Sequence, residues 1–134
     1  MACAWARQPV EIRVFTTDYP PYASPSLPSQ GAAVQMLREV LDERVYRIRV
    51  DFLPWARLPR ELRQGQYDLV FLAWPGDLIQ HGLTPSSPWF VSRLGFYMRT
   101  GHTREPGPRL EQLRGERVGI VRDYAYPPQL YSSG

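Results

Sequence analysis

The sequence has no lysine and no asparagine, and among its 134 residues only one cysteine and two histidines. Cys3, being the sole thiol, excludes an intrachain disulfide and a cysteine-based metal cluster, and His81 and His102 stand too far apart to form a local ligand pair. All 16 basic side chains are arginine. Lysine and asparagine codons are both A-rich, so their joint absence tracks base composition. The net charge of +3 and the pI near 9.3 therefore lose weight as signs of a polyanionic partner. No uncharged apolar run has the length a membrane span requires. What is present is a globular composition, 43% hydrophobic and 22% charged, too apolar for a disordered chain. The length suits one compact domain but not two full-sized ones.

Met1-Ala-Cys-Ala-Trp-Ala6 lacks the basic start and the apolar stretch of a complete export signal. Ala4-Trp5-Ala6 nevertheless has the small-x-small form of a cleavage site. Residues 1–9 thus stand either as a signal-peptide remnant or as an arbitrary beginning.

Further along, Val10, Ile12 and Val14 alternate with polar neighbours up to Phe15, a strand of period two. Residues 17–30 carry Pro20, Pro21, Pro25 and Pro28 and read as a loop with a stiff start. From Gly31 to about Glu43, Val34, Leu37 and Leu41 recur at helical spacing, with Ala33 and Val40 beside them. Tyr46, Ile48, Val50 and Phe52 then alternate with Arg47, Arg49 and Asp51, giving a second strand with one charged face. Such a strand-helix-strand order implies a right-handed parallel crossover.

Residues 59–64 read as a short helix with proline in its first turn and Gly65 past its end. Its Leu58 and Leu62 would face inward. Leu69-Val-Phe-Leu-Ala73 is an apolar run of the kind found in strands buried on both faces. Residues 74–88 look loop-rich, residues 90–99 β-prone, and residues 101–108 a linker. A short helix at Leu110 and Leu113 and a strand at residues 118–121 are expected beyond it. No internal repeat or low-complexity tract appears.

Several motifs, in this order, resemble the family 3 solute-binding proteins of ABC importers and sensor domains, which have the type 2 periplasmic fold. Asp18-Tyr-Pro-Pro-Tyr22 is similar to the family's Tyr-Pro-Pro-aromatic loop. Gly31 resembles its Gly-aromatic-aspartate turn without the aspartate. Pro54-Trp-Ala-Arg57 with Gly65-Gln-Tyr-Asp68, then Ser87-Pro-Trp89, and finally residues 113–121 with Tyr124-Ala-Tyr-Pro127, resemble its later signatures. The resemblance spans roughly residues 10–127 and is specific in combination, although each piece is weak alone.

The resemblance implies an α/β fold, a parallel-rich sheet flanked by helices, with the first lobe at residues 10–89 and a hinge strand and linker at 90–108. Residues 109–134 would be the incomplete start of a second lobe. A chain so truncated is expected to expose an apolar face and a sheet edge and to be marginally stable or prone to aggregate. The resemblance further implies export to the periplasm, capture of a small solute for an ABC transporter permease or a sensor module, no catalysis and no cofactor. Ligand-binding candidates are Tyr19, Tyr22, Trp55, Arg57, Trp74 and Ser87.

Each candidate also has a plainer role. Tyr22 is better suited to packing its loop, Tyr19 equally to packing and to ligand contact, Arg57 to plain solvation, and Pro88 with Trp89, beside Ser87, to setting the entry of the hinge. Tyr19 offers an aromatic face for a flat or cationic group. Trp74 follows the third strand, at the end where open α/β sheets place ligands. Asp68 is better suited to a turn or cap than to a ligand.

One departure from the family is plain. No arginine lies between Arg63 and Arg93, and the third strand ends Leu72-Ala73-Trp74, so the family's α-carboxylate clamp is missing. The ligand expected is more aromatic or less anionic than an ordinary α-amino acid. Two alternatives compete with binding alone. A cyclohexadienyl dehydratase-like enzyme would need a carboxylate acid, with Asp18 and Asp77 the loop candidates. A nucleic-acid binder would need its arginines on one face, whereas Arg38, Arg47, Arg49, Arg60 and Arg117 are interspersed with Glu39, Asp51, Glu61 and Glu116.

Overall fold

A computed structural model describes residues 8–101 and 109–132. Residues 1–7 and most of the expected linker lie outside the described residues. The chain divides into two compact units, Met1–Ala73 and Trp74–Gly134.

The first unit is built on β1 (Val10–Thr16), α1 (Ala32–Val40), β2 (Tyr46–Phe52), α2 (Leu58–Arg63) and β3 (Leu69–Val70). The three strands form an all-parallel open sheet in the order β2-β1-β3. β1 is central, and the sequence shows why it can be. Val14, Phe15 and Thr16 are all buried, and three consecutive buried residues require cover on both faces. β2 pairs with β1 over its whole length, from Val10 opposite Tyr46 to Thr16 opposite Phe52. Its exposed Arg47 and Arg49 alternate with half-buried Ile48 and Val50, as expected.

The core is small: Val14, Phe15, Ala33, Val34, Leu37, Trp55 and Leu58, with Ala23 from the first loop. α1 contributes Ala33, Val34 and Leu37 at helical spacing. It stops at Val40, three residues before the expected Glu43. Asp42 ends it locally, accepting the Arg44 N–H on its carboxylate at 2.9 Å and the Val45 and Tyr46 N–H groups on its carbonyl at 2.8 Å. Such a turn competes with continued helix. Val40, expected beside the apolar stripe, is exposed.

Leu58 of α2 is fully buried, whereas Leu62 is half-buried. The run at residues 69–73 differs from expectation. Only Leu69 and Val70 form strand, Leu69 is exposed, and residues 71–73 are half-buried. β3 is an edge with a neighbour on one side, and Leu72 turns to φ 66°, where a strand cannot continue.

The second unit departs further from expectation. A helix, α3 (Pro75–His81), occupies the stretch that looks loop-rich, and a short 3-10 helix (Leu110–Leu113) and α4 (Pro128–Ser132) follow. Residues 90–99 and 118–121 form no strand. A β-prone segment becomes a strand only with a neighbour to complete its ladder, and neither has one among the described residues. No described helix is long and apolar enough to cross a membrane.

Candidate functional site

The strand order determines where a ligand would meet the first unit. From β1 the chain steps to one side to reach β2, then crosses back past β1 to reach β3. Right-handed crossovers in opposite directions put their helices on opposite faces. The loop leaving β1 therefore starts at the carboxyl end of the central strand, the end at which open α/β sheets bind ligands.

Thr16, the last residue of β1, is buried there and donates its hydroxyl to the Phe71 carbonyl at 3.2 Å. The Phe71 N–H donates in turn to the Phe15 carbonyl at 2.8 Å. These bonds tie the carboxyl ends of β1 and β3 together. Sequence reasoning missed Thr16; the available signal was a polar residue continuing the β1 alternation.

The loop after β1 is closed on itself. The Tyr19 N–H donates to the Ala23 carbonyl at 2.6 Å, and the Tyr22 and Ala23 N–H groups both donate to the Tyr19 carbonyl at 3.0 Å. Within this ring of bonds Pro20–Pro21 is a cis peptide. The Tyr19 and Tyr22 rings stack, 5.5 Å between centroids and 23° between planes. Both are half-buried, so the pair packs the loop and leaves aromatic surface in contact with water. Asp18 beside them is exposed.

The far end of the loop is equally fixed. Arg38 donates to the Ser29 carbonyl at 3.2 Å and to the Gln30 side-chain oxygen. The Ala33 N–H donates to the Tyr22 carbonyl at 2.9 Å and the Ala32 N–H to the Pro21 carbonyl at 3.3 Å. The first donors of α1, which could otherwise attract an anion, are thereby already used by the tyrosine loop.

The other candidates are placed elsewhere. Trp55 is 6% exposed and edge-on to Phe15 at 5.8 Å, a core residue with almost no surface for a ligand. Arg57 is exposed and makes no ion pair among the described residues. Trp74 and Ser87 belong to the second unit. Trp74 is half-buried and opens α3: its N–H donates to the Asp77 carboxylate at 2.8 Å, and its carbonyl accepts the Asp77 N–H at 2.9 Å. Asp77, expected on a loop, is a buried residue of this helix, and its carboxylate serves as a cap. Ser87 is exposed, and its carbonyl accepts the Ser86 hydroxyl at 3.1 Å. Asp68, expected at a turn or cap, instead uses its carboxylate across the sheet, accepting the backbone N–H of Arg13 in β1 at 2.8 Å.

A polar cluster lies on the Phe15 side of the sheet, where alternation puts Arg13 with its strand partner Arg49, and Phe15 with Asp51. Asp51 accepts the Tyr67 hydroxyl at 3.1 Å and pairs with Arg13 at 3.5 Å and Arg49 at 3.3 Å. The Arg13 guanidinium lies 5.0 Å from the Tyr67 ring centre. The Tyr67 hydroxyl is held above the ordinary 10.0, first by burial, then by its hydrogen bond to Asp51, with the charges of Asp51 and Glu61 adding and Arg13 opposing.

The folded chain therefore keeps this proton more tightly than the unfolded chain. The resulting stability is complete below pH 10.0 and is lost as pH rises through the folded value. Tyr67→Phe is expected to flatten the alkaline limb of stability in urea melts taken across that range. An unchanged limb would show that another group governs it.

An open depression of about 630 Å³ on the outer side of α1 is lined by Arg38, Glu39, Asp42, Glu43 and Arg44 among others, and by none of the candidates. The Arg44 guanidinium is already paired with Asp42 there, holding the Asp42 carboxyl below its ordinary range. No cluster of three or more potential metal ligands occurs among the described residues. Compared with known proteins, the chain matches no family model, no curated protein and no solved structure.

Proposed function

We propose that the first unit is the ligand-binding lobe of a periplasmic solute-binding protein of the family 3 type, serving an ABC importer or a sensor module without catalysis. The observation that carries this reading is the position of the Tyr19–Tyr22 stack, on the loop leaving the central strand of an all-parallel β2-β1-β3 sheet. The family resemblance of Asp18-Tyr-Pro-Pro-Tyr22 supports it. The ligand is a small polar solute with a flat or cationic group, which the tyrosine faces can hold. The absence of arginine between Arg63 and Arg93 argues against an ordinary α-amino acid.

Titration calorimetry with aromatic and cationic solutes, set against common amino acids, tests the reading. Binding of the first class is expected, and Tyr19→Ala should weaken it roughly tenfold, the scale of an aromatic contact with a cation. Tyr22→Ala should act through the loop and cost melting temperature as well. Affinity unchanged by both substitutions would overturn the site, tight binding of a common amino acid would overturn the ligand class, and turnover of a prephenate-like acid would overturn the absence of chemistry.

A further inference from the structure

Residues 90–99 have the burial pattern of a strand without having a ladder. Phe90, Leu94, Phe96 and Met98 are between 41% and 51% exposed, and Ser92 is half-buried, whereas Val91 is 91% and Tyr97 fully exposed. Arg93 and Arg99, which share the odd side, are exposed too. The even side is less exposed than the odd side, the period of two that alternating side chains of an extended chain give. Yet the backbone of residues 91–99 has no hydrogen bond among the described residues. An extended apolar segment with an unused row of donors and acceptors is a template for another strand.

The segment's own sequence indicates which strand fits. Parallel pairing of two copies in register would set Arg93 against Arg93 and Arg99 against Arg99, and like charges directly opposite are destabilising. The outer edge of β2 presents Arg47 and Arg49 and is unsuitable for the same reason. Antiparallel pairing about Leu94 avoids both conflicts. Leu94 then meets Leu94, Phe90 meets Met98, Ser92 meets Phe96 and Val91 meets Tyr97. Arg93 stands opposite Gly95, which has no side chain. Every pair keeps even residues with even and odd with odd, as a shared face requires.

We propose that residues 90–98 are the pairing strand of a two-fold dimer, in which two copies lie antiparallel about Leu94 and form a two-stranded ribbon. The interface is isologous and closed, so it saturates at two copies instead of growing. This proposal goes beyond the ligand-binding reading and is independent of it, since it uses none of the residues of the tyrosine loop.

Light scattering coupled to gel filtration on the full chain provides the first test. The mass is expected to rise from 15.5 kDa to twice that value, and no further, as concentration increases through the micromolar range. Leu94→Arg puts two charges on the two-fold axis and should restore the monomer. Ile79→Arg, an exposed apolar residue of α3 given the same charge, should leave the dimer intact. On a Cys3→Ser background, mild oxidation should cross-link Leu94→Cys to itself. Phe90→Cys should cross-link only when mixed with Met98→Cys. A monomer at every concentration, a dimer surviving Leu94→Arg, or equal self-cross-linking at positions 90 and 94 would overturn the proposal.

Discussion

Gly31→Ala is expected to destabilise the first unit by roughly 3 to 4 kcal/mol, combining a backbone conformation reserved for glycine with two weakened hydrogen bonds. Gly31 sits between the tyrosine loop and α1 at φ 101° and ψ 161°. A residue with a β-carbon pays about 1–3 kcal/mol to stay in that region. The new atom would also lie 2.5 Å from the Tyr22 carbonyl oxygen and 2.8 Å from its carbon. Both are backbone atoms, so no rotamer change relieves the contact. The carbonyl in the way is the one that accepts the Ala33 N–H. Moving it loosens the start of α1 and the Tyr19–Tyr22 stack together.

Gly65→Ala gives the comparison. Gly65 has φ 61° with open space where the β-carbon would go, and it follows Gln64, the residue that caps the end of α2. Its substitution should cost only about 1 kcal/mol, the left-handed penalty alone. Parallel urea melts of the two variants separate the contributions. Equal midpoints would show that the approach to Tyr22 is not tight. A unit of this size has a total stability of roughly 3–10 kcal/mol, so the Gly31 variant should lie near the edge of folding.

Most of the first unit was legible in the sequence because its elements keep a regular apolar period and end in recognisable residues. Val10, Ile12 and Val14 predicted β1, Tyr46 to Phe52 predicted β2, and Pro59 with Gly65 bracketed α2. The misreadings have specific causes. Pro75, Gly76 and Gly82 look like loop punctuation, but proline in the first turn, Asp77 at the third position and glycine after the end are also what a short helix needs. Leu69 to Ala73 looked fully buried because an apolar run does not reveal whether its strand is central or at an edge. Residues 90–99 and 118–121 have strand composition, and composition says nothing about whether a neighbour is present. The candidate site was legible only in its loop, where proline and tyrosine types carry local information. The burial of Trp55 depends on a contact with Phe15, forty residues earlier, and no local pattern reports that.

The same contact makes Phe15 the residue whose truncation should cost most. Phe15→Ala is expected to destabilise the first unit by about 3–5 kcal/mol, the usual cost of deleting a buried aromatic ring from a core that cannot close over the gap. Phe15 is fully buried in the central strand, with Trp55 edge-on at 5.8 Å and Tyr67 edge-on at 5.5 Å. These edge-to-face pairs add about 0.5–1.5 kcal/mol each beyond the area buried. The loss also spreads beyond the core. Tyr67 holds its hydroxyl on Asp51 while its ring rests on Phe15, so removing that support should release the hydroxyl and weaken the Arg13–Asp51 pair. Phe15→Leu keeps most of the volume but neither ring contact, and should cost about 1.5 kcal/mol. With stability at neutral pH in the order wild type, Leu, Ala, the Ala variant should also have lost the alkaline dependence assigned to Tyr67. If Phe15→Ala melts within a few degrees of the wild type and keeps that dependence, the ring does not support the cluster and the core lies elsewhere.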